Sequence, residues 1–439
     1  MKKLWMMLLV LTAHELWGQN GWTMQQCMQY AVEHNHEVKQ AALELDNYKA
    51  QKSKAVGSFL PAVDAGIGAQ YNFGRAIDPE TNIYTDVSTF YNGYSLQASL
   101  PVFDGFSRLH ALRAAKAGVL MGQSALRRQQ DQTALGVLEA FAHVAYYEGL
   151  VKMADERVKE TALLLRQTQV LEEVGRKSAA DVAQVESQQA EADYELTRQQ
   201  NLHASALLEL KKVMGFPLND SLKLVIMGHG DGSLTPAASP DWVRAPSPDP
   251  AELQTALYHM QASKHEWHQA RASLFPSLSL SAGLNTTFYK TLHSETAASF
   301  GNQFKNNMGE YVGATLNIPL FNRLQTITNI RKAKNNYQIA CEAYEQKQLE
   351  LEKLSQVAWQ DWQGYLKQIV QMEKKVEADS LACLLTRRQF EEGLSTAIDV
   401  HTTSAQLLNS KATLLQCQLM AMVKKQLVRY YQGEQIWTK

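Results

Sequence analysis

The chain contains two copies of one pattern, and this internal repeat constrains its fold more than any other feature. The motif L-P-V-F at 100–103 recurs 218 positions later as I-P-L-F at 318–321. The same offset aligns A-A-D-V at 179–182 with A-I-D-V at 397–400. An ordered series of matches without a shift indicates a tandem duplication, so each copy should form one supersecondary unit.

Long stretches without proline dominate both copies. All 11 prolines fall in three windows, 61–101, 217–250 and 276–319. Proline inside a helix costs about 3 kcal/mol, so the proline-free runs permit continuous helices of about 70 residues, each roughly 100 Å long. Enzyme folds built from short alternating helices and strands are disfavoured, because their elements average about 11–12 residues.

Each long run ends in a signal for a reversal of direction. One glycine stands three residues before a Ser or Thr, which precedes an Asp by three: Gly175-Ser178-Asp181 and Gly393-Thr396-Asp399. Glycine suits the left-handed position that ends a helix, and the Ser/Thr-to-acid spacing is that of a capping box. A helix that stops and restarts so quickly folds back on itself. We therefore predict helical hairpins with tips near 175–178 and 393–396.

Four segments alternate between apolar and polar residues, which predicts β-strands at 60–75, 90–103, 276–289 and 310–321. One face would carry Val63, Ile67, Leu96, Leu280 and Leu316. About ten residues with one apolar face suit strands of a membrane β-barrel, although a soluble sheet with one wet face has the same pattern. Aromatic residues at one set of strand ends favour the membrane. Since a single-chain barrel needs about eight strands, either the sheet is open or several chains share one barrel.

The order of these elements resembles a known family. Two copies of helix, β-hairpin, long helix, tip and helix, with L/I-P-V/L-F after the second strand and G-x-x-S/T-x-x-D-V at the tip, are similar to the outer-membrane efflux proteins, the TolC-like channels. The resemblance implies a mainly α fold with a membrane β-barrel portion. Each chain of a homotrimer would give four strands to one shared barrel, and its helices to a long α-helical barrel in the periplasm.

The function implied by the resemblance is passive export through the outer membrane. The chain would be an exit duct for small molecules (drugs, metabolites, cations) or for proteins. Its partners would be a periplasmic membrane-fusion adaptor, an inner-membrane transporter and outer-membrane lipid, as in tripartite efflux pumps or type I secretion. The alternative is a secreted periplasmic coiled-coil scaffold with no pore.

The sequence also suggests boundaries. Two lysines and a short apolar run predict a signal peptide. The expected segments are a signal peptide at 1–18, a first repeat at 19–215 with its β-hairpin at 60–103, a linker at 216–249, and a second repeat at 250–439 with its β-hairpin at 276–321.

Two groups of candidate site residues follow from the resemblance. A constriction at the periplasmic entrance would be built on Asp399, with Asp181 and Thr402, although helix capping alone also accounts for the two acids. The adaptor-docking tips would comprise Gly175, Arg176, Lys177, Ser178, Gly393, Leu394, Ser395 and Thr396. The alternative is that these residues are merely exposed turns.

Other functions find little support in the sequence. A net charge of −1 argues against nucleic-acid binding. His265 and His268 could share one helix face, but two ligands do not make a zinc site. Folding the second hairpin near Ser395 would place Cys383 opposite residue 404 and Cys417 opposite residue 370, so these cysteines should not pair. We expect no catalytic residues, no cofactor and no metal.

Overall fold

The computed structural model describes residues 21–77, 82–86, 88–225, 250–292 and 299–437. The signal peptide expected at 1–18 and most of the linker expected at 216–249 lie outside these ranges. In chain order the helices are α1 (Met24–His34), α2 (His36–Gly57), α3 (Ser107–Glu173), α4 (Ala179–Met214), α5 (Ala251–Ala272), α6 (Phe300–Asn306), α7 (Gln325–Glu391) and α8 (Ala397–Tyr431). The strands are β1 (Ala62–Asn72), β2 (Arg75–Ile77), β3 (Tyr84–Asp86), β4 (Thr89–Phe103), β5 (Ser277–Thr291) and β6 (Gly309–Asn317).

The chain divides into two compact units. Unit 1 comprises Met1–Glu44, Gln123–Gln254 and Glu345–Lys439, and unit 2 comprises Leu45–Gly122 and Thr255–Tyr344. Both units draw on both copies of the repeat, so each copy contributes a helical part to unit 1 and strands to unit 2.

Unit 2 contains an antiparallel sheet in the order β1-β4-β5-β6. Residues directly opposite each other on antiparallel strands share a face. The register pairs Ile67 with Tyr94 and Leu278 with Leu316, and it continues this face through β4 and β5. The five apolar residues expected on one face therefore do share one, which we call the apolar face. Asp64, Gln97, Gly283 and Tyr311 follow one another across the opposite, polar face.

The strand predictions need three corrections. β6 ends at Asn317 and does not reach residue 321, because its partner strand β5 begins at Ser277, which is opposite Asn317. The short pair β2–β3 stands between β1 and β4, and helix α6 lies between β5 and β6. No sequence pattern predicts either feature, since three-residue strands and a seven-residue helix are too short to show a period.

Unit 1 is built from the helical hairpins and a hydrophobic core. Met28, Leu138, Leu210 and Met214 are buried together there with Val423. The two long helices, α3 and α7, have 67 residues each. This length is possible because neither helix contains proline. No helix in the described ranges is at once long enough and apolar enough to cross a membrane.

Candidate functional site at the hairpin tips

Both tips are built by the same backbone device. Gly175 and Gly393 have φ values of +74° and +79°, in the left-handed region that L-residues adopt only at a cost. In the first tip the N–H of Arg176 donates to the carbonyl of Leu171 at 2.8 Å, and the second tip repeats this bond. An added Cβ at either glycine would meet no atom within 4 Å. Backbone conformation, rather than space, therefore calls for glycine here.

Each second helix begins with a reciprocal capping box. The Oδ2 atom of Asp399 accepts hydrogen bonds from the backbone N–H of Thr396 at 2.9 Å and from its hydroxyl at 2.7 Å. The N–H of Asp399 donates back to the Thr396 hydroxyl at 3.2 Å. Ser178 and Asp181 form the same three bonds at 2.9, 2.8 and 3.2 Å. The capping role predicted for both acids is confirmed.

The capping bonds keep both carboxylates charged. The Thr396 hydroxyl, followed by its backbone N–H, holds the pKa of Asp399 below its ordinary value. The backbone N–H of Ser178, followed by its hydroxyl, does the same to the pKa of Asp181. Asp399 is exposed and Asp181 is half-buried, so capping does not remove their charge from the solvent. Thr402 is different, since its hydroxyl donates to the carbonyl of Ile398 at 2.8 Å.

The expected docking residues do not all point to solvent. Leu394 is 75% exposed, and Arg176 is exposed as well. In contrast, the Nζ atom of Lys177 lies 4.2 Å from the centre of the Phe390 ring, which belongs to the other hairpin. Ser395 donates to the carbonyl of Thr386 at 3.1 Å. The tip surface is therefore smaller than the sequence motif suggests.

The two hairpins pack against each other beside the tips. Their shared apolar cluster consists of Leu164, Val185, Phe390, Ala397 and Val400. A polar rim surrounds it: Arg157 Nη2 lies 3.0 Å from His401 Nδ1, Arg387 Nη2 lies 3.3 Å from Glu160 Oε2, and Gln188 Nε2 lies 3.4 Å from the Ala397 carbonyl. No sequence pattern marks these pairs, because the partners in each are more than 200 positions apart.

A second polar network closes the α7–α8 hairpin on itself. Asp379, which is 8% exposed, accepts hydrogen bonds from Lys375 at 2.6 Å and from Gln406 at 2.8 Å. The Ser410 hydroxyl also contacts Asp379 and accepts from Lys375 at 2.8 Å. These bonds hold the pKa of Asp379 below its ordinary value, with the bond from Lys375 as the largest cause.

A third histidine contacts the pair His265 and His268 of α5 in unit 2. His110 of α3 stacks on His265 and His268, with ring centres 6.2 and 5.3 Å apart and planes within 30°. Stacked rings do not aim their nitrogen lone pairs at one point. Among the described residues, no group of three or more His, Cys, Asp or Glu side chains could hold a metal ion.

The cysteine prediction is confirmed. All four cysteines are free. The Sγ atom of Cys383 lies 3.8 Å from the Ser404 hydroxyl, and that of Cys417 lies 3.6 Å from Gln368 Oε1. The second hairpin thus folds at the position predicted for it.

Comparison with known proteins identifies the class of protein. The family model described as "Outer membrane efflux protein" matches residues 27–216 and 249–425. The chain belongs to this family, a family of channel proteins, and its expected location in the outer membrane is confirmed. Both matched ranges contain one helical hairpin and its strands.

The individual relatives that match share low sequence identity with this chain. The probable efflux pump outer membrane protein TtgC of Pseudomonas putida is 26% identical over 318 residues, a match that covers 70% of this chain but only 62% of TtgC. The alkaline protease secretion protein AprF of Pseudomonas aeruginosa is 21% identical, with 92% of this chain and 82% of AprF covered.

Solved structures show the same fold. The outer membrane protein VceC of Vibrio cholerae matches with a TM-score of 0.77 at 15% identity, over 94% of this chain and 96% of VceC. The CmeC outer membrane channel of Campylobacter jejuni matches with a TM-score of 0.80 at 14% identity, over 95% and 87%. The predicted TolC-like fold is confirmed.

Proposed function

We propose that this chain is an exit duct of the outer membrane, through which cargo leaves passively after delivery by an inner-membrane transporter. The observation that carries the proposal is the sheet of unit 2. Its apolar face is exposed, with Ile67 at 76%, Val312 at 87% and Leu316 at 59%. Exposed apolar side chains on one face and polar ones on the other are what a strand between lipid and water requires.

The sheet also supports a homotrimer. β1 and β6 are its outer strands, so each leaves one edge for another chain. Four strands are too few for a closed barrel, whereas three chains supply more than the minimum of about eight. Pairing β6 of one chain with β1 of the next closes the barrel without a free edge. The partner subunit therefore completes the duct.

The tips support two further roles. Asp399 and Thr402 on α8, with Asp181 on α4, would narrow the periplasmic entrance and favour cations, since rings of charge select ions in other pores. The exposed Arg176 and Leu394, together with the glycine turns, would dock a periplasmic adaptor.

We infer the cargo class from what the relatives are named for. TtgC is named for toluene efflux in one strain of Pseudomonas putida, and AprF for secretion of alkaline protease. We place small molecules first, because the efflux relatives match at the higher identity. Protein cargo is the second candidate, because the match with AprF covers more of both chains.

The face assignment can be tested on neighbouring residues of β6. Leu316 lies on the apolar face opposite Leu278, and Thr315 lies on the polar face opposite Ser279. Val312 lies on the same apolar face opposite Ala282, nearer the middle of the sheet than Leu316. Val312→Arg should therefore cost about 2–4 kcal/mol and should lower the yield of outer-membrane trimer. Thr315→Arg is the matched control and should assemble. Equal yields, or wild-type protein that leaves the membrane without detergent, would support the scaffold without a pore instead.

A further inference from the structure

Helix α6 extends an aromatic cluster along the apolar face. Its residues Phe300 and Phe304 pack on Tyr94, with ring centres 6.2 and 5.3 Å away, and Phe300 also packs on Phe288 at 5.2 Å. Tyr94 is opposite Ile67 in the register, which places this contact on the apolar face. We define the outer cluster as the connected rings of Phe73, Tyr71, Phe90, Phe288, Tyr94, Phe300 and Phe304.

Hydrogen bonds fix α6 to strand β5. The last pair between β5 and β6 joins Asn285 to Gly309, so β5 continues beyond its neighbour. There the N–H of Tyr289 donates to Gln303 Oε1 at 2.9 Å, and Gln303 Nε2 donates to the Tyr289 carbonyl at 2.8 Å. The Thr286 hydroxyl donates to the carbonyl of Phe304 at 2.7 Å. α6 thus takes the place of β6 along this stretch, which holds its aromatic side chains in position.

Two lysines accompany the outer cluster. Lys290 is opposite Phe90 in the register, which places it on the apolar face, and Lys305 lies on α6 beside Phe304. Both are exposed, and neither forms an ion pair within the described ranges. Glu310 is on the same face opposite Leu284, which lies nearer the middle of β5 than Lys290 does. A lysine on a lipid-contacting face is tolerated near the membrane surface, where its ammonium group reaches the headgroups.

The outer cluster lies at the end of the sheet away from α2, α3, α5 and α7. The opposite strand ends, at Ala62, Phe103, Ser277 and Asn317, are those that lead to α2, α3, α5 and α7. In an outer-membrane barrel with periplasmic helices, the cluster therefore belongs to the outer leaflet. Aromatic rings favour the boundary between acyl chains and headgroups, and exposed lysines beside them attract anionic headgroups.

We propose that the outer cluster, with Lys290 and Lys305, is a binding site for the phosphate of an anionic outer-leaflet lipid. The rings would lie among the upper acyl chains while the two ammonium groups bind the headgroup phosphate. The proposal rests on the proposed function, since it needs the apolar face to contact lipid.

The test compares one lipid with and without its phosphates. Purified, detergent-solubilised trimer is titrated with lipid A and with dephosphorylated lipid A, and binding is followed by native mass spectrometry. The double variant Lys290→Gln/Lys305→Gln should bind lipid A about tenfold more weakly than wild type, and the phosphate-free lipid equally well. The matched control is Lys353→Gln/Lys374→Gln, which changes two exposed lysines of α7 and should bind like wild type.

Two further measurements keep the proposal open to refutation. Phe300→Ser should weaken binding of both lipids, because it removes a ring rather than a charge. Unchanged affinity of the lysine variant for lipid A overturns the proposal, and so does an equal loss in the α7 control. A lysine variant that loses its trimer without lipid shows that a neighbouring protein chain occupies the site. If wild type conducts ions but the lysine variant binds lipid A as tightly as wild type does, the lipid site alone is wrong. If wild type neither forms trimers nor conducts ions, the proposed function is wrong.

Discussion

The two helical hairpins share a backbone design but use equivalent side chains for different purposes. In the α7–α8 hairpin, Lys375 and Gln406 both bond to Asp379, so they close the hairpin on itself. The residues 218 positions earlier are Arg157 and Gln188, and these reach out of their own hairpin to His401 and to the Ala397 carbonyl.

The difference depends on one acid. Thr161 stands where the second copy has Asp379, and its hydroxyl bonds to the Arg157 carbonyl within its own helix at 2.9 Å. Ala192 likewise replaces Ser410. Without an internal partner, Arg157 is free to contact the other hairpin. The comparison teaches that duplication has kept the turns and caps, while the polar contacts between helices have diverged. Hydrogen bonds within the α7–α8 hairpin hold that hairpin together. The α3–α4 hairpin instead uses Arg157 and Gln188 to bond to α8 of the other hairpin.

The largest effect should come from removing the acid of the second hairpin. Asp379→Ala leaves three donors without their shared acceptor and should destabilise the helical part by about 2–3 kcal/mol. Thr161→Val, the equivalent change in the first hairpin, should cost less than about 1 kcal/mol, because it removes one bond within a helix. Urea unfolding followed by circular dichroism measures both. Equal losses would show that the two hairpins are held alike.

Lowering the pH should destabilise the α7–α8 hairpin through Asp379, whereas Thr161 gives the α3–α4 hairpin no such pH dependence. The pKa of Asp379 is lowered from 3.8 in the fold, so the folded protein binds its proton less readily than the unfolded chain does. The stabilisation is therefore complete above about pH 5 and is lost as the pH falls through 3.8 toward the lower pKa of the folded protein. Asp379→Asn should flatten this part of the stability curve, whereas Thr161→Val should leave its slope unchanged. A slope that survives in Asp379→Asn would assign the effect to other carboxyl groups.

The tips should respond equally where the backbone is shared. Gly175→Val and Gly393→Val each force a β-branched residue into positive φ and should each cost about 1–2 kcal/mol. If the tips dock the adaptor as proposed, we expect trimers to form in both variants and export to fail. Export assays in cells, alongside trimer yields, separate the two effects. Export at wild-type levels would exclude the tips as the docking surface.

The smallest effect should be confined to the contact between hairpins. Arg157→Gln loses the bond to His401. It should lower the free energy that protects the backbone amides at the start of α8 from hydrogen exchange by about 0.5–1 kcal/mol, with little change in α7. Hydrogen exchange around 397–401 reports this directly. Lys159→Gln is the control, since Lys159 pairs with Asp155 in its own helix. Increased exchange throughout α7 would contradict the separate roles of the two networks.

The sequence predicts the local features of this fold, but few of the contacts between residues that are far apart in the chain. Gly175, Ser178 and Asp181 act within six residues of one another, so their turn and cap were readable from spacing alone. Alternation likewise predicted the apolar face, because side-chain direction has a fixed period in a strand. The contact of Lys177 with Phe390 and the stack of His110 on His265 depend on tertiary packing. No local pattern marks such partners, so the contact that turns Lys177 away from the tip is not predictable from its neighbours in the sequence.

The central claim is that this chain forms a duct whose entrance carries the Asp399 charge, and planar-bilayer recording tests it most directly. Purified wild-type trimer in a salt gradient should give stable conductance steps with a reversal potential on the cation-selective side. Asp399→Ala should conduct as well, with its reversal potential closer to zero, because three carboxylates leave the entrance at once. Identical reversal potentials would leave Asp399 with its capping role alone. Wild-type trimer that inserts and gives no conductance steps would contradict the duct itself.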